Sequence, residues 1–482
     1  MSETSNNLAG TAGLQQWQPR LALLVAATFF MEFLDGTVLT TAIPSIAADF
    51  SVAPADVNIT MTAYLMTVAM GIPVSGWLAE RLGARRVFCS AVAIFTMASL
   101  LCALSQDLTL LTVSRVLQGA GGAMMVPVGT LVVLRRTPKE DLLRATAYLV
   151  WPGLLAPVLA PLVGGALTTF LSWHWIFLIN VPLGVAAFIA ALRLVPKGAG
   201  DQGRRLDWVG LILTTAGVGA LVVGLELASG HSAAPLAAAA FAGGVAAIGG
   251  AVLWLRRTSN PLFQLNVFST RTFRATSTGG FIYRLTISAV PFLLPLMFQG
   301  GFGWDPLHAG VMVAAVFVGN IGIKPATTPL IRRFGFKPVL VFASLASAAT
   351  FGMCALLDQA TPEPLIFGLL ICSGAFRSIG FSAYASIQYA DVVPGQLPSA
   401  NAISATLVQL AAGAGIAVGA LLLRTFSASG LFGAGPTAPY RGAFVAIAVL
   451  MLLSTADSLT LHRQAGAEVS RARPASSESA TS

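Results

Sequence analysis

The chain has 482 residues, of which 56% are apolar and only 10% charged. A soluble domain carries roughly 25% charged residues, so the polar surface of a water-soluble fold is missing and the class is a polytopic all-α membrane protein. The formal charge of +9 does not mark a nucleic-acid binder, because the basic residues sit in short loops between apolar runs, the pattern that orients membrane helices.

The first residues, MSETSNNLAGTAGLQQWQPR, are polar and run straight into an apolar segment. They lack a basic stretch followed by a short apolar core and a small-residue cleavage site, so no cleaved signal is expected. A helix needs about 20 apolar residues to cross hydrocarbon. Runs of that kind predict spans at 20–43, 57–79, 87–105, 109–134, 145–169, 175–192, 207–229, 233–255, 273–299, 308–331, 338–357, 363–389, 400–423 and 441–461. That makes fourteen transmembrane helices with both termini on one side. Losing the pair between 207 and 255 would leave the outer topology unchanged.

The first span contains MEFLDGTVLTTAIP, residues 31–44. Glu32 and Asp35 stand three apart, hence on one helix face. A carboxylate at that depth is costly and faces a cavity, a partner charge or a transport path. The loop after the second span reads GWLAERLGARRVF, residues 76–88, and the loop after the tenth reads PLIRRFGFKPVL, residues 329–340. Gly83 aligns with Gly335, Arg81 with Arg333 and Arg85 with Lys337, a weak internal repeat. It divides the chain into an N-terminal tail (1–19), a six-helix half (20–194), linkers with two additional helices (195–272), a second six-helix half (273–461) and a disordered tail (462–482).

Loop charges set the orientation. Arg81, Arg85, Arg86, Arg135, Arg136, Lys139, Arg144, Arg193, Lys197, Arg204 and Arg205 fall on one face in the fourteen-helix count. So do Arg256, Arg257, Arg271, Arg274, Arg332, Arg333, Lys337, Arg463, Arg471 and Arg473. The other face has Arg424 and Arg441. The crowded face is therefore expected to be cytoplasmic, with both termini inside. The cysteines, Cys89, Cys102, Cys354 and Cys372, lie in or beside apolar runs without metal-ligand spacing, and read as packing residues. The fifth span, WPGLLAPVLAPLVGG, collects Pro152, Pro157, Pro161, Gly164 and Gly165. Proline removes backbone hydrogen bonds and bends a helix, so this element reads as a closely packed, flexible part of a moving interface.

Four motifs together resemble the major facilitator superfamily, in particular its fourteen-helix drug:proton antiporter branch, over nearly the whole chain. Asp35, Thr37, Val38 and Pro44 match the branch's first-helix motif. Gly76, Leu78, Ala79, Glu80, Arg81, Gly83, Arg85 and Arg86 match its loop motif, and Arg115, Gln118, Gly119 and Gly121 match R-x-x-Q-G-x-G in the fourth helix. WHWIFLINVPLG, residues 173–184, looks like a further branch signature. The fifth-helix motif G-P-x-x-G-G departs at Ala160, a residue still small enough for close helix approach.

The resemblance implies two six-helix pseudo-repeats rocking around a midplane site, and a proton-coupling role for Arg115. Asp35 and Arg115 are placed at one depth by a rise of about 1.5 Å per residue. A carboxylate set between the cost of burial and the pull of a cation can change its protonation as access alternates. Asp35, Glu32 and Arg115 are thus the proton-coupling candidates; the bland alternative is a static ion pair that fixes packing. Arg284, Lys324 and Arg377 are also inside spans, with few acids at their level. They are assigned to the substrate cavity with Gln118, Gln388 and Tyr389. Such a cationic wall would suit an organic anion or zwitterion; pairing with Glu32, Asp35 or carbonyls, or snorkelling of Lys324, is the alternative. Gly76, Glu80, Arg81, Gly83, Arg85, Pro157, Pro161, Gly164 and Gly165 are the gating candidates.

The function expected is a proton-coupled, multidrug-type efflux transporter of the bacterial inner membrane. A dedicated exporter of a carboxylate metabolite or chelator, or a proton-coupled importer on the same fold, are the alternatives. No clustered nucleophile, metal-ligand set or phosphate loop supports an enzyme, and no cofactor or metal is called for. The partners expected are a small-molecule substrate, protons and the lipid bilayer, with the chain acting as a monomer.

Overall fold

The computed structural model describes residues 18–470, apart from 53, 199, 202, 204, 230–233, 434 and 463–464. The assigned N-terminal tail up to residue 17, the tail from 471 on, and the loop cations Arg204, Arg463, Arg471 and Arg473 lie outside the described residues. Among the described residues the chain is helical throughout, with no strand. The first half holds α1 (Pro19–Val38), α2 (Ile43–Phe50), α3 (Pro54–Leu78), α4 (Ala84–Ala103), α5 (Leu108–Arg136), α6 (Leu142–Phe170), α7 (His174–Leu178) and α8 (Asn180–Leu194). Then come α9 (Trp208–Ser229) and α10 (Ala234–Leu255). The second half holds α11 (Arg271–Leu296), α12 (Pro306–Gly322), α13 (Lys324–Phe334), α14 (Phe336–Cys354), α15 (Glu363–Ile387), α16 (Leu397–Ser429) and α17 (Ala438–Leu459), and α18 (Ala467–Ser470) follows.

Among the described residues, eleven helical stretches are long and apolar enough to cross a membrane, or twelve if a bent pair is one span. Three expected spans are not continuous helices. The first stops at Val38, passes through a tight turn at Leu39–Thr41 and restarts as α2. The Thr37 and Thr41 hydroxyls donate to the Phe33 and Val38 carbonyls, and Pro44 begins the next helix without an N–H. Both devices loosen a helical ladder. The sixth span breaks at Ile179. The tenth bends by 49° between α12 and α13, where Pro325 cannot donate to the preceding turn.

Each half builds its own apolar core. Phe88, Phe95, Val92 and Leu131 pack in the first, Phe298, Phe351, Phe444 and Ile447 in the second. The halves meet where α16 lies against α3 and α5, and where α6 lies against α12, α13 and α15. Gly76 permits the first contact: a Cβ there would stand 2.9 Å from the Pro398 carbonyl oxygen.

The middle pair is held by Asp207. Its carboxylate accepts from Gly210 N (2.8 Å), Trp254 Nε1 (2.8 Å) and Leu262 N (3.2 Å). One side chain thereby caps α9 and ties it to the end of α10 and the linker beyond. Helix α9 packs on both α3 and α16, with Gly219 beside Met70 and Leu225 beside Gly413, while α10 packs chiefly on α9. In the region assigned to the C-terminal tail, Val469 is buried and α18 packs against α6 and α13.

Candidate functional site

Asp35 and Arg115 form the centre of a buried polar cluster in the first half. Arg115 Nη1 lies 2.5 Å from Asp35 Oδ2, and both side chains are fully inaccessible. Gln118, one turn after Arg115 on α5, closes the ring. Its Oε1 accepts from Arg115 Nη1 at 2.7 Å, and its Nε2 donates to Asp35 Oδ1 at 2.9 Å and Ser99 Oγ at 2.5 Å. Asn180 Nδ2 adds a donor to Asp35 Oδ1 at 2.8 Å. One carboxylate therefore receives hydrogen bonds from α5 and α8 as well as a charge. The rest of the guanidinium lies over the Tyr64 ring, 4.1 Å from its centroid, and 5.8 Å from that of Phe177. A guanidinium can stack on an aromatic face as well as bond a carboxylate.

Glu32 sits beside this ring without joining it. Its Oε2 and the Tyr64 hydroxyl are buried, and neither has a hydrogen-bond partner among the described residues. They converge at Gly122, where a Cβ would stand 3.3 Å from Tyr64 Oη and 3.5 Å from Glu32 Cδ. The two acids thus differ in kind: Asp35 is saturated with donors, and Glu32 has an oxygen to spare.

Ser99, Asn180 and Tyr64 were not singled out in the sequence. Asn180 lies inside WHWIFLINVPLG, and its place as the one amide in that motif was the signal available. Ser99 and Tyr64 carry no local signal, because only the packing of α3 and α4 on α5 brings Tyr64 against Arg115 and Ser99 to Gln118.

The second half is arranged differently. Of the six residues assigned to a substrate cavity, only Lys324 lines the cavity of about 400 Å³ between α1, α6, α13 and α15. Gln118 belongs to the Asp35 cluster. Arg284 Nη2 donates to Gln388 Oε1 at 3.3 Å, which also accepts from Ser404 at 2.7 Å. Tyr389 Oη donates to Asn401 Oδ1 at 3.2 Å, and Asn401 Nδ2 reaches the Pro127 carbonyl of the other half at 2.6 Å. Arg377 Nη2 donates to the Ile287 carbonyl at 2.7 Å. Arg377 is followed three residues later by Gly380, as Arg115 is by Gln118. Tyr283 crowds that glycine and donates its hydroxyl to the Arg377 carbonyl. The fourth helix of each half carries an arginine, but only the first has a carboxylate opposite.

The gating candidates separate by contact. Gly83 has φ +87°, and a Cβ there would stand 2.7 Å from the Gly198 carbonyl oxygen. Gly198, Gly200 and Asp201 lie along this loop, with Asp201 N donating to the Glu80 carbonyl at 2.9 Å. Arg81 stacks over Trp77 at 5.3 Å, and Arg85 donates to the Leu192 carbonyl. Gly164 presses against Val38 and Thr41 of the α1 break, whereas Gly165 faces open space. The side chains of Pro157 and Pro161 lie outside the described residues. Among the described residues, no group of His, Cys, Asp and Glu could hold a metal ion.

Comparison with known proteins follows this geometry. The sequence profile of the Major Facilitator Superfamily matches residues 25–255 and 276–479. A protein of Serratia proteamaculans named for multidrug resistance, MdtD, is 38% identical over 419 residues, 86% of each chain. Its namesake in Escherichia coli O6:H1 is 36% identical over 442 residues, 91% of this chain and 92% of that one. Among solved structures, a human organic anion transporter superposes with TM-score 0.65 at 14% identity, over 91% of this chain and 99% of that one. A bacterial homologue of the iron transporter ferroportin, in an outward-facing state, superposes with TM-score 0.64 at 13% identity, over 91% and 98%. The profile match over most of the chain and the MdtD relatives at 36–38% identity place this chain in the major facilitator superfamily.

Proposed function

We propose that the protein is a proton-coupled efflux transporter of multidrug type, embedded in a bacterial inner membrane and working by alternating access. The observation that carries this reading is the Asp35–Arg115–Gln118–Asn180 cluster with Glu32 beside it. Asp35 is a buried carboxylate held by one cation and two amides, so a proton can reach it only when those partners move, which links proton transfer to the alternation of access. Glu32, with a free oxygen and the Tyr64 hydroxyl nearby, is the natural relay for a proton arriving at Asp35. The names of the MdtD relatives support drug-type cargo.

We read the chain as fourteen spans. The apolar stretch Ile59–Ala103 has 45 residues, about 67 Å of helix against roughly 30 Å of hydrocarbon. It must cross twice, turning at Gly83. Helix α6 has 29 residues and supplies a further crossing. The arginine-rich loops are then cytoplasmic, and the α3–α16 contact at Gly76 closes that side.

The test is transport in proteoliposomes with pH and voltage gradients imposed separately, using one lipophilic cation and one aromatic carboxylate. Exchange of one proton for a monovalent cation moves no net charge. Exchange for a monovalent anion moves two charges, each worth about 2.3 kcal/mol per 100 mV. Asp35→Asn is expected to abolish transport driven by the pH gradient. Unimpaired pH-driven transport by that variant would overturn the coupling assignment.

A further inference from the structure

The cavity between α1, α6, α13 and α15 has a feature that proton coupling leaves unused. Lys324 is 7% exposed, and its ammonium donates to Ser382 Oγ at 2.6 Å. Among the described residues no carboxylate lies within 4.0 Å of it. An ammonium has three donors, and a buried charge without a counter-ion is strongly unfavourable. The amine does not snorkel away; it is bonded inward. Lys324 is also the first residue of α13, an 11-residue helix bent 49° from α12. The start of a half-helix carries positive partial charge, as at the anion sites of transporters built from broken helices. Opposite stand apolar and aromatic walls: Leu23, Ala26, Leu143, Tyr148 and Trp151. Among the described residues that line the cavity, none is acidic. Its size of about 400 Å³ suits a small organic molecule. Leu23, Tyr148 and Trp151 are 62%, 40% and 39% exposed, which gives the cavity an apolar mouth.

We propose that this cavity binds amphipathic organic anions, a single carboxylate or sulfonate on an aromatic body. Lys324 and the Ser382 hydroxyl hold the anionic group, and Trp151 and Tyr148 hold the ring. Taking the bound molecule to be cargo rests on the export reading above. The anion supplies the charge that the protein lacks, while a lipophilic cation of the same size meets the ammonium and is rejected. Selectivity by sign therefore resides in one side chain.

The experiment is calorimetric titration of the purified full-length protein in neutral detergent with naphthalene-2-carboxylate, and with 2-naphthylmethylammonium as the cation of matched shape. The parent is expected to bind the carboxylate and discriminate against the cation. Lys324→Gln is expected to weaken carboxylate binding about tenfold or more and to erase the discrimination, whereas Lys324→Arg keeps both. Trp151→Ala weakens either ligand equally, about threefold to tenfold. Removal of a lone buried charge is expected to raise the melting temperature of Lys324→Gln, which verifies its fold; should that variant not fold, Ser382→Ala carries the test through the same discrimination ratio. Equal affinity of parent and Lys324→Gln for the carboxylate, or equal binding of cation and anion by the parent, overturns the proposal. Asp35→Asn keeps carboxylate binding. A parent that binds the carboxylate but exchanges no protons leaves this site standing and removes the export reading. Proton-driven cation export without carboxylate binding does the reverse.

Discussion

Asp35 and Glu32 stand one helical turn apart, and their different surroundings predict different failures. Asp35→Ala leaves Arg115 buried with no counter-charge, a loss of about 3–5 kcal/mol; it is expected to lower the melting temperature as well as transport. Glu32→Gln removes no hydrogen bond recorded for the spare oxygen, so it should keep the fold and slow proton-driven turnover. Thermal unfolding and transport measured side by side separate the two. Asn180→Leu withdraws one of the two donors on Asp35 Oδ1 and leaves Gln118 Nε2 as its remaining partner, a loss of about 1.5–3 kcal/mol for a hydrogen bond to a charged group; a transport rate equal to the parent's would refute its place in the cluster. Asp35 and Arg115 were legible in the sequence because ionisable residues inside apolar runs are rare enough to stand out; Gln118 reads there as a cavity residue, and its bonds to Arg115 and Asp35 put it in this cluster instead. Ser99 and Tyr64 were not legible, since a serine or tyrosine in a membrane helix is unremarkable until packing brings it to a charge. The three cations of the second half were read as one wall; the structure gives them three separate sets of partners, because hydroxyl, amide and carbonyl groups can take the place of acids and leave no charge pattern behind.

At the scale of elements, spans were readable from apolar runs and their breaks were not. Hydropathy averages over a window, so the turn at 39–42, the break at Ile179 and the bend at Ile323 pass unnoticed. All three lie beside chemistry: the first four residues beyond Asp35, the second next to Asn180, the third next to Lys324. Irregular backbone survives at membrane depth only where protein or water satisfies it. The middle pair supplies a plainer test. Asp207→Ala deletes three hydrogen bonds to a charged acceptor and should cost about 2 kcal/mol or more. Faster proteolysis within the 196–207 and 256–270 linkers is the expected sign, and unchanged protection would show that Asp207 is not the anchor. Gly83→Ala forces a side chain into left-handed backbone, worth about 1–2 kcal/mol, and pushes Gly198 and Gly200 off the loop. Transport should fall further than stability.

For the whole molecule, the repeat in two loops predicts two halves, and α16 packs against α3 and α5 at Gly76. A Cβ built on Gly76 lies 3.5 Å from the Ala402 Cβ, within the range of about 3.5–4.5 Å that a disulfide spans. A side chain at 76 also meets the Pro398 carbonyl oxygen at 2.9 Å, so a Gly76→Cys and Ala402→Cys pair should crosslink under oxidation and stop transport, and reductant should restore it to the level of Gly76→Cys alone. Full transport by the crosslinked protein would mean that the halves need not part there. The same seam explains a property of α9. It rests on α3 and α16 together, and α10 leans on it from outside. On the alternating-access reading proposed above, α3 and α16 separate, and the area between them must then be refilled, either by α9 tilting inward or by acyl chains. Lateral pressure and bilayer thickness thereby enter the transport equilibrium directly. Turnover in short-chain and long-chain vesicles should differ, and the dependence should flatten once Asp207 no longer holds the pair in place.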